Sequence, residues 1–208
     1  MTPPPRAADD TATKTGRRAE LLDLAASLFA ERGMRATTVR DIADAAGILS
    51  GSLYHHFDSK ESMVDEILRG FLDDLFGRYR AITDAGLGAR ATLEALVVAS
   101  FEAIDRSHSA VAIYQDEAKH LVGNERFSYI DELNREFRAL WVNVLESGIA
   151  DGSFRPDIDI ELVFRFMRDT VWVAVRWYRP GGPMTAEAVA KQYLAIVLDG
   201  LTSPESRS

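Results

Sequence analysis

Two groups of side chains in this sequence have types and spacings that can do chemistry. Ser50, Gly51, Ser52, Tyr54 and His55 follow a Gly47-Ile48 turn and offer small hydrogen-bonding groups, then longer ones, from one face of a short helical segment. Such a face suits contact with base edges in a groove about 12 Å wide. Tyr54 and Lys60 have the reach to touch phosphates, and the positive end of a helix beginning at Thr38 can hold another. The second group is Arg165, Arg168, Trp172 and Arg176, which share one side of a helical pattern that is otherwise apolar nearly all round. An unpaired buried guanidinium is expensive. Either acids such as Asp116, Glu117 or Asp169 neutralise these arginines, or Arg168 meets an anionic ligand while Trp172 packs on its apolar part; the residues alone leave both open.

Catalysis finds no support in the sequence. There is no cysteine, which removes thiol nucleophiles, thiolate zinc sites and disulfides together. No phosphate loop, H-E-x-x-H or G-x-S-x-G motif occurs. His55 and His56 are neighbours on a helix and point apart, while His108 and His120 lack obvious partners, so no metal site and no cofactor are expected.

With 208 residues, 47% hydrophobic and 27% charged, the chain is one large domain or two small ones with a sizeable core. No apolar run approaches the roughly 20 residues of a membrane span, and the N-terminus has no export signal, so a cytoplasmic protein without membrane contact is expected. The net charge of −8 argues against nucleic acid on average. The charge is polarised, however: residues 1–60 balance eight Lys or Arg against eight Asp or Glu, and residues 61–208 carry the whole deficit. An acidic body is repelled by phosphate, so any contact with DNA must run through the head, using few but well-placed cations.

The elements that must position these groups are helices, because apolar spacing of helical period runs nearly everywhere and alternating runs are almost absent. The class is all-α. Residues 1–16, with three consecutive prolines, read as a mobile arm. Leu21, Leu24, Ala25, Leu28 and Phe29 form the stripe of a first helix that Gly33 ends. Thr38, with Asp41 three residues on, caps a two-turn second helix. Leu49, Leu53 and Phe57 repeat at i, i+4 and i+8 as the apolar face of the next segment, and Asp58 caps a long fourth helix. Five further helices follow, the eighth from about residue 158 to 178 and the ninth from the Thr185 cap. Two short helices joined by a glycine turn are either a helix-turn-helix or a plain surface hairpin.

The residues Ala36-Thr-Thr-Val-Arg-Asp-Ile-Ala, Gly47-Ile and Ser52-Leu-Tyr-His-His-Phe-Asp-Ser-Lys-Glu61 resemble the signature of the TetR family of transcriptional regulators. The resemblance implies a nine-helix architecture: a helix-turn-helix head over residues 17–60, and a body over residues 61–208 that binds an effector and dimerises. It places Thr38, Tyr54 and Lys60 at the family's usual phosphate-contacting positions and Ser50, Gly51, Ser52 and His55 on the recognition helix. Arg17 and Arg18 are further candidates for reaching a groove. The partner it implies is double-stranded DNA bearing a pseudo-palindromic operator, read by two heads about 34–36 Å apart.

Ala112-Ile-Tyr-Gln-Asp-Glu-Ala, Arg126-Phe-Ser-Tyr-Ile, Phe154-Arg-Pro-Asp and Trp172-Val-Ala-Val-Arg-Trp-Tyr-Arg-Pro-Gly-Gly are similar to the members of that family that repress breakdown of the last two steroid rings in bacterial cholesterol catabolism. That likeness implies a homodimer released from DNA by a coenzyme A thioester of a bicyclic steroid remnant. Such a ligand asks for an aromatic lining with cations at its mouth. Arg168, Trp172 and Arg176 suit it, with Phe71, Phe101 and Tyr114 as lining or as plain core. Trp177, Tyr178, Tyr193 and Ile196 are expected at the dimer interface, unless these aromatics merely close the monomer. A regulator answering to another hydrophobic or acyl-coenzyme A effector, and an acyl-thioester-binding helical protein without DNA binding, are the alternatives.

Overall fold

The computed structural model describes residues 7–121 and 123–201, and among them there are nine α-helices and no strand. These are α1 (Ala7–Arg32), α2 (Val39–Ala45), α3 (Ser50–Leu53), α4 (Lys60–Asp84), α5 (Ala89–Arg106), α6 (His108–Leu121), α7 (Tyr129–Ala150), α8 (Ile160–Val173) and α9 (Ala186–Leu201). One-turn 3₁₀ segments, Glu125–Phe127 and Ala174–Arg176, precede α7 and follow α8. No described helix is long and apolar enough to cross a membrane. The chain forms two compact units divided between Arg69 and Gly70, inside α4 rather than at its start.

The first unit is a small helical head. Leu21, Ala25 and Phe29 of α1, Ile42 and Ala43 of α2, Leu53, Phe57, and Met63, Val64 and Leu68 of α4 are all buried. α2 packs on both α1 and α3. α1 begins at Ala7, so the arm expected over residues 1–16 is helical from residue 7; residues 1–6 lie outside the described residues. The reason is local: beyond the prolines, Ala7 and Ala8 favour helix. The cap of α4 also differs from expectation by one residue. Ser59, not Asp58, takes it, since Ser59 Oγ accepts from the Ser62 amide while Ser62 Oγ accepts from the Ser59 amide, each at 3.1 Å.

The start of α2 follows the sequence pattern. Thr38 Oγ1 accepts from the Asp41 amide (3.1 Å), and the Asp41 carboxylate accepts from the Thr38 amide (2.7 Å) and hydroxyl (2.6 Å), closing a capping box. These bonds hold the Asp41 carboxyl below its ordinary pKa of 3.8. A carboxyl depressed in the folded state stabilises fully above its unfolded pKa, and the contribution is lost as pH falls through the folded value. Thr38→Ala therefore lowers the melting temperature at pH 7, and the gap to wild type narrows as the pH is taken below about 4; a gap that stays constant in a calorimetric pH series removes the box from the account.

In the second unit α5 lies at the centre, with α6, α7, α8 and α9 packed on it through Leu93, Leu96, Val97, Phe101 and Ile104. Tyr79 of α4 is bonded to Ser100 of α5 (2.5 Å), and Ser100 in turn donates to the Leu96 carbonyl. α8 is shorter than the apolar run suggested. It tightens into 3₁₀ form after Val173, and His108 Nε2 donates to the carbonyls of Val175 (3.0 Å) and Tyr178 (3.2 Å), which holds the following segment to the start of α6. Nor is α8 buried all round. Phe164, Met167, Val171 and Trp172 face inward, whereas Leu162, Phe166 (64% accessible) and Val173 form an outward apolar stripe that Trp177 extends.

Candidate functional site

Gly47, at φ +65°, ends α2 and turns the chain toward α3. α3 is a single turn, and the amides of His55, His56 and Phe57 carry helical hydrogen bonding on to Ser52 and Leu53. Leu53 and Phe57 anchor this segment in the core. Gly51, Tyr54 and His55 are exposed, with Ser50 and Ser52 half-buried, so the residues expected to reach bases are available at the surface. Leu49, expected in the core, is instead 81% accessible. Its extended backbone (φ −73°, ψ 143°) precedes the helix, so the i, i+4 relation to Leu53 does not apply to it.

Three cations of the head, Lys60, Arg17 and Arg18, are engaged inside it. Lys60 Nζ donates to the carbonyls of Met34 (2.8 Å) and Thr37 (2.6 Å), so its ammonium holds the loop that leads into α2, where a phosphate contact was expected. Arg17 Nη2 donates to the Ala46 carbonyl (3.0 Å) at the C-terminal end of α2. The Arg18 guanidinium lies 4.4 Å from the centre of the Phe57 ring and pairs with Glu66. Sequence spacing gave no sign of these links, because each joins groups from 23 to 48 residues apart.

In the second unit, α4, α6, α7 and α8 line a partly open aromatic cavity of about 70 Å³. Phe71, Leu75, Tyr114, Phe137, Arg168 and Trp172 are among its walls. Phe71 meets Tyr114 (6.4 Å between centroids) and Trp172 (6.2 Å) edge-on, and Phe137 lies 6.3 Å from Trp172. The polar groups are few. Tyr114 donates to Asn134 Oδ1 at 2.6 Å, and burial holds its hydroxyl above the ordinary phenol range, so it stays neutral. Gln115 and Arg168 complete them. Arg168 is half-exposed, bonds to Asp169 at 2.7 Å, and has Phe164 beneath its guanidinium.

The structure thus brings together four of the six residues expected around a ligand: Phe71, Tyr114, Arg168 and Trp172. Arg176 and Phe101 are not among them. Arg176 is exposed on the 3₁₀ turn after α8, 3.8 Å from Asp116, and Phe101 is core, edge-on to Tyr193. Acids pair with two of the arginines, Asp169 with Arg168 and Asp116 with Arg176, and Arg168 also borders the cavity. Leu75, Asn134 and Phe137 went unremarked as lining, because a helical stripe looks the same facing a cavity as facing a core. Of the expected interface aromatics, Trp177 is exposed and Tyr193 half-buried, but Tyr178 is only 3% accessible and donates to Asp105 at 2.6 Å, so it closes the monomer. Ile196 on α9 is 76% accessible. Among the described residues no group of three or more His, Asp or Glu is placed to hold a metal.

A helix-turn-helix head and an all-helical body in one chain are the parts of a DNA-binding transcriptional regulator. The chain belongs to the TetR family: residues 21–67 match the bacterial regulatory proteins of the tetR family, and residues 86–201 match the tetracyclin repressor-like C-terminal domain. It is 78% identical over 206 residues to the HTH-type transcriptional repressor KstR2 of Rhodococcus jostii, covering 99% of this chain and 100% of that one. It is 65% identical over 186 residues to KstR2 of Mycobacterium tuberculosis, covering 89% and 93%. The solved structure of that ketosteroid transcriptional regulator superposes with a TM-score of 0.88 over 90% of this chain and 95% of that one. Family and relatives alike are regulators, not enzymes.

Proposed function

We propose that the protein is a homodimeric repressor that holds a pseudo-palindromic operator and lets go when a coenzyme A thioester of a bicyclic steroid remnant binds in its body. The observation that carries the effector reading is Arg168: a single guanidinium at the edge of a cavity walled by Phe71, Phe137 and Trp172. Aromatic walls suit fused apolar rings and the cation suits the anionic remainder. Small-molecule cavities generally run to about 300–1,000 Å³, so this one, at about 70 Å³, must widen around its ligand. α4 carries Lys60 in its first turn and Phe71, Leu72 and Leu75 in the cavity wall. A ligand that prefers a displaced α4 therefore weakens operator binding by its differential affinity for the two arrangements, and by no more.

In this reading Thr38, Ser50, Gly51, Ser52, Tyr54 and His55 face DNA, and Lys60 acts by fixing the approach to α2. The second copy covers the outward stripe of Leu162, Phe166, Val173 and Trp177 together with Ile196, because isologous pairing of such faces removes contiguous apolar surface from water. The small cavity also favours a second reading, in which the effector is a compact acyl thioester. A gel-shift titration on DNA upstream of the protein's own gene separates them. The bicyclic steroid thioester releases DNA at the lowest concentration, while free coenzyme A and simple fatty acyl thioesters release poorly. Equal potency of a fatty acyl thioester overturns the steroid reading, and failure of every thioester overturns the effector class.

A further inference from the structure

Leu49 is the most accessible large apolar side chain among the described residues. It stands immediately before the recognition helix, and its carbonyl accepts the Ser52 amide at 2.8 Å, so its backbone is fixed while its side chain meets water. Two residues on, Gly51 is exposed and its φ lies outside the left-handed region. A Cβ built there meets nothing within 4 Å. A helical glycine is disfavoured relative to alanine, and neither backbone conformation nor internal packing calls for one here. The protein's own fold explains neither the protruding leucine nor the missing side chain beside it. A surface outside the chain explains both.

Resting on the DNA-binding reading above, we infer that Leu49 is a specificity-determining residue that reads the C5-methyl group of a thymine, and that Gly51 leaves room for the neighbouring base-pair edge. In the major groove the bases display donors, acceptors and one apolar group, the thymine methyl. A leucine offers no hydrogen bond, so that methyl is the feature it can distinguish. Ser50 and Ser52 flank Gly51 with hydroxyls for the polar edges, which leaves the apolar contact to Leu49.

The test uses the full-length protein and the duplex it selects from a random-sequence library. Each thymine of that duplex is replaced in turn by deoxyuridine, which removes the methyl group alone. Wild type loses about fourfold in affinity per half-site at one position, the worth of one buried methyl-sized group. Leu49→Ala loses a similar factor on the thymine duplex and no longer responds to deoxyuridine there. Gly51→Ala melts no lower than wild type, yet binds the selected duplex at least about tenfold more weakly, as expected where a methyl group intrudes on a close contact. Wild-type indifference to every replacement, or undiminished sensitivity in Leu49→Ala, overturns the Leu49 assignment; full affinity in Gly51→Ala overturns that of Gly51. Selection that recovers no duplex fells the DNA-binding reading and this inference with it, whereas a bound duplex without methyl dependence sinks the inference alone.

Discussion

Arg168→Met protein holds its operator as tightly as wild type and needs tens to a hundred times more effector to release it. A hydrogen bond to a charged group contributes about 1.5–3 kcal/mol, which corresponds to that range. The fold does not depend on this residue. Its partner Asp169 is its sequence neighbour, neither side chain is buried, and such a pair is worth between about 0 and 1 kcal/mol. Methionine also keeps an unbranched chain near Phe164 and the cavity. Titrating the operator complex of each protein with the same thioester gives the answer. Release of the variant at the wild-type concentration reduces Arg168 to a surface ion pair with no part in recognition.

Gly148→Ala is the substitution with the largest expected cost to stability. The new Cβ would stand 2.1 Å from Cδ2 and 2.3 Å from Cε2 of Phe154, whose ring lies directly against the glycine. Phe154 cannot retreat easily. It is fully buried, and its amide donates to the Gly148 carbonyl at 2.8 Å. Overpacking typically costs about 1–3 kcal/mol and on occasion more, against a gain in helix propensity of about 1 kcal/mol. A contact this short belongs at the upper end. We expect a net loss near 2 kcal/mol and a melting temperature lower by roughly 4–8 °C. Adding Phe154→Leu recovers part of the loss, which a double-mutant cycle measures. An unchanged melting temperature in the single variant shows that the ring does not pack there.

Gly148 also shows where sequence reading reaches its limit. Its position makes it look like the end of the seventh helix, yet α7 continues to Ala150 and the left-handed glycine is Gly152, at φ +79°. A glycine that stops a helix and one that receives a ring are the same letter. The capping residue Thr38 and the turn at Gly47 were legible because each rests on chemistry within a few residues. Leu49 misled because a four-residue spacing means a shared face only inside a helix, and α3 starts one residue later. The work of Arg17, Arg18 and Lys60 was illegible for a different reason. A cation near a presumed nucleic-acid surface looks free until the carbonyl or carboxylate that claims it is placed in space. Around the cavity, Arg168 and Trp172 were legible because a charged residue interrupts an apolar face, whereas Phe71 and Tyr114 carried no mark to separate them from Phe101, which is core, and none set Phe137 apart.

The narrowness of that aromatic chamber bears on affinity as well as fit. On the proposed reading, the arrangement that admits a bulky guest has Phe71, Phe137 and Trp172 further apart than they stand here. The guest's apparent affinity is then its intrinsic affinity reduced by the fraction of molecules in that arrangement.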